Sequence, residues 1–124
     1  MNVIEQARQA YAPTQMAIRT DRAIESQLLS QVTTRLRHTL TDKAMNFPAL
    51  AAAIHDNRRI WTALAASVAD HDNDLPVDLR AKLFYLAEFT DHHSAKVLAG
   101  TADAQALVDI NSAVMRGLNG QVAS

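Results

Sequence analysis

An all-α fold is predicted by three observations: scarce turn residues, abundant alanine and leucine, and apolar residues recurring at helical spacing. The chain of 124 residues carries only three glycines and three prolines, against roughly 7% and 5% in average proteins. A sheet protein of this size needs turn residues about every ten positions, whereas alanine and leucine are strong helix formers. Hydrophobic residues make up 48% and charged residues 20%, the balance of a packed domain and not of a disordered chain. The expected architecture is an up-and-down bundle of four main helices plus a short N-terminal helix. It forms one domain over residues 1–124, with residues 1–19 as a partly separate N-terminal helix and linker.

Five segments follow in order. Asn2–Ala12 places Ile4, Ala7 and Tyr11 on one face and stops before Pro13. A helix that short holds only if it is docked, and Pro13-Thr14-Gln15 reads as the linker after it. The second helix is expected to open at Thr20-Asp21, a hydroxyl to cap and an acid in the first turn. Ile24, Leu28, Val32, Leu36 and Leu40 recur along it every four residues, with Leu29 widening the stripe.

The third helix starts near Asn46-Phe47-Pro48, where a missing N–H costs nothing. Leu50, Ile54, Asn57, Trp61, Leu64 and Val68 form its stripe, with Trp61 expected to be largely shielded. Asp70–Pro76 is a turn, in which Asp74 is the expected cap of the fourth helix. That helix carries Leu79, Leu83, Leu86, Thr90, His93 and Val97 to Gly100. The fifth runs from about Thr101 to Asn119, with Leu107, Ile110, Val114 and Leu118 on one face and Gly120 to stop it. Short connections between helices three, four and five imply antiparallel neighbours.

Composition narrows the chemistry. No cysteine is present, which excludes disulfides, thiolate metal sites and a cysteine nucleophile. The N-terminus has no apolar run of the signal-peptide kind, and no stretch of eighteen apolar residues occurs. The cytoplasm is the expected location. Residues 1–69 hold eight Lys/Arg against five Asp/Glu, a balance of +3, and residues 70–124 hold four against eight, a balance of −4. The cations are interleaved with acids, so RNA binding, which needs clustered cations, is the runner-up reading.

Motifs for catalysis or cofactors do not survive inspection. Taking Asp70, Asp72 and Asp74 as a calcium loop puts Leu75 where glycine belongs and Ala81 where the bidentate glutamate belongs. His55 is followed by Asp56-Asn57-Arg58-Arg59 and makes no zinc helix. Only three glutamates occur, and Glu88 precedes His92 by four positions, so a bundle di-iron site is missing its ligands. Adjacent His92 and His93 point about 100° apart on a helix and cannot share one ion. With all three glycines in the last quarter, no phosphate-binding loop can form, and no nucleophile elbow is present. The expectation is a protein that is not an enzyme and needs no cofactor or metal.

Polar residues inside the apolar stripes stand out instead. Asn57, flanked by Arg58 and Arg59, occupies a core-type position, as do Thr90 and His93, with Asn111 and Arg116 beside the last stripe. Either they hydrogen-bond one another and fix helix register, or they line a cleft for a partner. Under the second reading Asn57→Leu keeps or improves folding but weakens binding.

The order and spacing of several short motifs resemble one family. Asn57-Arg58-Arg59-Ile60-Trp61 is similar to the asparagine-arginine-tryptophan signature of the flagellar biosynthesis regulator FlaF. Asp72-Asn73-Asp74-Leu75-Pro76, Leu86-Ala87-Glu88-Phe89, Ile110-Asn111 and Met115-Arg116-Gly117-Leu118 continue the resemblance from Tyr11 to Leu118. It implies a cytoplasmic helper of flagellum assembly, acting on flagellin production and, in some members, as a flagellin-binding secretion chaperone. It implies no catalysis, and it leaves indirect contact with the regulator FlbT or with flagellin messenger RNA open. No small-molecule substrate and no membrane partner is expected.

The expected partner is the amphipathic terminal helix of flagellin, docked in a groove bordered by the fifth helix. The expected partner-binding residues are Asn57, Arg58, Arg59, His93, Ile110, Asn111, Val114, Met115 and Arg116. The competing reading is that the last stripe is ordinary core, as a four-helix bundle requires.

Overall fold

A computed structural model describes residues 13–42 and 47–123, with side chains described for 26–42 and 47–117. Four helices follow one another: α1 (Pro13–Thr41), α2 (Phe47–Ala69), α3 (Val77–Leu98) and α4 (Gln105–Ala123). No strand occurs among the described residues. Each helix packs against its sequence neighbours, and α4 closes the ring against α1. This is the expected up-and-down bundle. The tightest pair is α2 with α3, and the loosest is α3 with α4. The expected helix over Asn2–Ala12 lies outside the described residues.

The helix ends differ from expectation in three places. α1 begins at Pro13 and not at Thr20, so the residues read as a linker are helical. Proline fits the first helical position, and Met16, Ala17, Ile18 and Arg19 offer no break after it. α4 starts at Gln105, later than Thr101, because residues 100–104 are spent on the reversal. Its last turns run past Gly120 to Ala123, since a glycine lowers helix propensity without forbidding the helix.

Asp74 does not cap α3, which has no side-chain cap. Asn73 organises the turn instead: its Nδ2 donates to Ser67 O at 3.0 Å and to Ser67 Oγ at 3.1 Å. Its Oδ1 accepts from Leu75 N at 2.9 Å. At the far end of α3, Gly100 adopts φ +78°. The N–H of Thr101 reaches Lys96 O, and that of Gly100 reaches Val97 O. This is the Schellman closure, which asks for a left-handed residue at that position.

The alternating stripe of α2 turns inward as expected, with Ile54, Asn57, Trp61, Leu64 and Val68 buried together with Ala53. The described part of the α1 stripe does so too, except at Leu28. Leu28 is 45% exposed, while Leu29, Val32, Thr33 and Leu36 are buried. Steps of four drift about 40° each, so a run of fours spirals away from any fixed neighbour. Alternating threes and fours hold one face, and that is the set the bundle selects. In α3, Ser94 takes the core position expected of His93.

Two hydrophobic clusters make up the core. One holds Leu29, Val32, Trp61, Leu64, Val68, Leu83 and Val114. The other holds Leu36, Ala53, Ile54, Val97, Ala104, Leu107 and Val108.

Candidate functional site

Five polar residues are buried among the described ones: Thr33 on α1, Asn57 on α2, Thr90 and Ser94 on α3, and Asn111 on α4. In sequence each lies between the residues of its own helix that feed the two clusters, or at the edge of one of them. All four helices therefore contribute to one polar layer across the middle of the bundle.

Asn111 is the hub of this layer. Its Oδ1 accepts from Trp61 Nε1 at 2.8 Å. Its Nδ2 donates to Asn57 Oδ1 at 2.8 Å and to Thr33 Oγ1 at 3.1 Å. The Thr33 hydroxyl passes its own hydrogen to Leu29 O at 2.6 Å. Both Asn111 hydrogens and its oxygen are thus used, which is how a buried amide avoids the cost of desolvation. The other side of the layer is unpaired: Asn57 Nδ2, Thr90 Oγ1 and Ser94 Oγ are buried and have no hydrogen-bond partner.

The expected partner-binding residues fall in different surroundings. Asn57 and Asn111 are both 0% exposed, and Val114 is buried in the first cluster. Asn57 and Asn111 lie inside the bundle, and Val114 shows only its edge at the seam between α3 and α4. Ile110 and Met115 are half-buried against the same cluster, and with Leu107 and Val114 buried the described part of the α4 stripe faces the core. His93 lies between core and surface. Its ring stacks on Phe89 at 5.6 Å, and Nε2 lies 3.1 Å from Asp103 O in the α3–α4 loop. Arg58 clamps α2 to α3, with Nη2 donating to Asp91 O at 2.8 Å and Nε 3.3 Å from Asp91 Oδ1. Arg59 and Arg116 are exposed.

Exposed apolar surface gathers on α3. Six large hydrophobic residues are exposed among the described ones, and four of them (Val77, Phe84, Tyr85 and Phe89) belong to this helix. A cleft flanks it on each side. Between α2 and α3 lies one of about 440 Å³, walled by Trp61, Ala65, Phe84 and Ala87, with Arg58, Glu88 and His92 among the residues around it. Between α3 and α4 lies one of about 240 Å³, lined by Leu79, Leu83, Leu86, Ala113, Val114 and Gly117. The second is where the loosest helix pair parts.

Sequence reasoning missed this face, although a signal was there. Three of the six aromatics in the chain fall within Phe84–Phe89, and none of the three lies on the stripe that faces the core. Apolar residues all round a helix that is not central mark a second contact surface. Thr33 and Ser94 were missed because single hydroxyls carry no sequence signature of burial.

The acidic turn contains the one group among the described residues whose potential metal-ligand atoms approach each other, Asp70, His71 and Asp72, all exposed. Asp70 already serves the turn, accepting from Asp72 N at 2.9 Å through Oδ1 and from Arg80 Nη1 at 3.0 Å through its carbonyl. No helix among the described residues is long and apolar enough to cross a membrane.

The profile of the family described as "Flagellar protein FlaF" matches residues 7–118. No curated protein and no solved structure matches.

Proposed function

The chain belongs to the FlaF family of flagellar proteins, and on that premise we propose that it is a cytoplasmic, non-catalytic chaperone that binds flagellin by its amphipathic chain ends. The observation that carries this reading is the exposed apolar face of α3. An amphipathic helix binds by laying its apolar side into a groove, and aromatic side chains dominate the energy of such contacts. Phe84, Tyr85 and Phe89 supply three of them on one helix, with a cleft on either side. Flagellin's chain ends are sticky before polymerisation, and covering them supports its production and secretion.

The test is capture of flagellin by the purified protein, with the double variant Phe84→Ser, Tyr85→Ser as control. Both side chains are exposed, so folding should persist by circular dichroism while capture weakens about tenfold or more. Capture by the double variant equal to that of the parent would refute the α3 assignment. Salt dependence separates the RNA alternative. Apolar docking responds little to salt, whereas phosphate contacts weaken steeply with it.

A further inference from the structure

We infer that the free protein self-associates through α3, two copies pairing antiparallel along the side of the helix that carries Asp78, Tyr85, Phe89 and Lys96. This goes beyond the flagellin reading and does not depend on it.

The pattern along that side selects the occupant. Asp78 and Lys96 are 18 positions apart, about five full turns at 3.6 residues each, so both point the same way. Tyr85 and Phe89 stand between them, each seven positions in from one end and within about 20° of the same direction. All four are exposed, and neither Asp78 nor Lys96 makes an ion pair among the described residues. Taken from either end, the stripe is a charge, two aromatics and a charge of the opposite sign.

A second copy running in the opposite direction matches this stripe at every level. Asp78 meets Lys96 of the second copy, Lys96 meets its Asp78, and a Tyr85–Phe89 pair forms on each side of the twofold axis. Lys82 and His92, each four positions in, also face across, and the imidazole can accept a hydrogen bond from the ammonium. Glu88, about 80° off the stripe on the α2 side, stays in water. A parallel pairing would set Asp78 against Asp78 and Lys96 against Lys96, so the charges choose the direction. The α4 flank leaves room. Ala113 and Gly117 beside α3 are small and exposed, and nothing stands within 4 Å of where a Cβ on Gly117 would be. The contact is one helix pair about 27 Å long, which suits a weak and reversible dimer. Being isologous, it closes at two copies. On the flagellin reading Tyr85 and Phe89 are shared, so dimer and client exclude each other.

The test is sedimentation equilibrium of the purified full chain alone, at low ionic strength. A monomer–dimer equilibrium with a Kd of about 10–100 μM is expected. Asp78→Lys and Lys96→Asp should each weaken it about tenfold, since each sets like charges face to face at both ends. Mixing these two variants restores opposite charges at both ends of the mixed dimer, so the mixture should associate about as tightly as the parent. Tyr85→Ser should abolish association, whereas Phe84→Ser, an exposed aromatic off the stripe, should leave it unchanged. A parent that stays monomeric at about 1 mM, or a mixture no tighter than its components, overturns the inference. So does an equal loss for Phe84→Ser and Tyr85→Ser, which would mean association through apolar surface in general. Flagellin capture is measured separately. Capture by a protein that never dimerises removes the second copy and leaves flagellin on α3, and a dimer that captures nothing does the reverse.

Discussion

Asn111 and Asn57 look alike in burial, yet their replacement should not cost the same. Asn111→Leu strips Trp61 Nε1 of its acceptor and Asn57 Oδ1 of its donor, each a buried group worth about 1–3 kcal/mol when left unpaired. A loss of about 3 kcal/mol or more is expected. Asn57→Leu removes one acceptor of Asn111 but also deletes an Nδ2 that has no partner, so about 1 kcal/mol should be lost. This replaces the expectation from sequence that Asn57→Leu is neutral or stabilising. Urea denaturation of the two variants checks the ranking, and equal costs would show that Asn111 is not the hub.

Among the elements, α3 carries two duties, a core stripe inward and an aromatic face outward, and its ends have to be fixed for both. Gly100 fixes one end. Its φ of +78° lies in the left-handed region, and nothing stands within 4 Å of where a Cβ would be. Gly100→Ala should therefore cost about 1 kcal/mol from backbone strain alone, without a steric contribution. A substitution without effect on thermal stability would mean that the helix end relaxes. α1 shows the opposite case, in which the ends matter less than register. Val32, Leu36 and Leu40 face the core at steps of four as expected, but in the turn before them packing takes Leu29 inward and leaves Leu28 45% exposed.

For the whole molecule, the polar layer lies between two hydrophobic clusters that would otherwise have little to tie them. Trp61 belongs to the first cluster and bonds through Asn111 to Thr33 and Asn57. The layer thus joins α1, α2 and α4 at one level and penalises any slip of register, since a slip would bury amides against leucines. Unfolding should then be one cooperative transition, with Trp61 fluorescence and far-ultraviolet circular dichroism tracing the same curve in urea. Separated curves would show the clusters unfolding independently. The charged contacts add little: Arg35–Asp56 at 2.7 Å is nearly half exposed on both sides, and such pairs contribute at most about 1 kcal/mol. High salt should leave the melting temperature almost unchanged.

Sequence by itself determined the helical class, the number and order of the main helices, and the inward face of α2. These follow from local propensity and from a period of alternating threes and fours, both of which act within a single helix. The family was legible in the same way, from short motifs in fixed order. What only tertiary structure decided is which polar residues hold the core and which apolar residues are left outside it. Asn57 and Asn111 lie 54 positions apart, and whether a buried amide meets another amide or a partner protein depends on what the opposite helix brings to that level. The aromatic face of α3 was decided likewise. In a ring of four, each described helix is covered only by its neighbours, so Phe84 and Tyr85 are exposed because no other described helix lies over them.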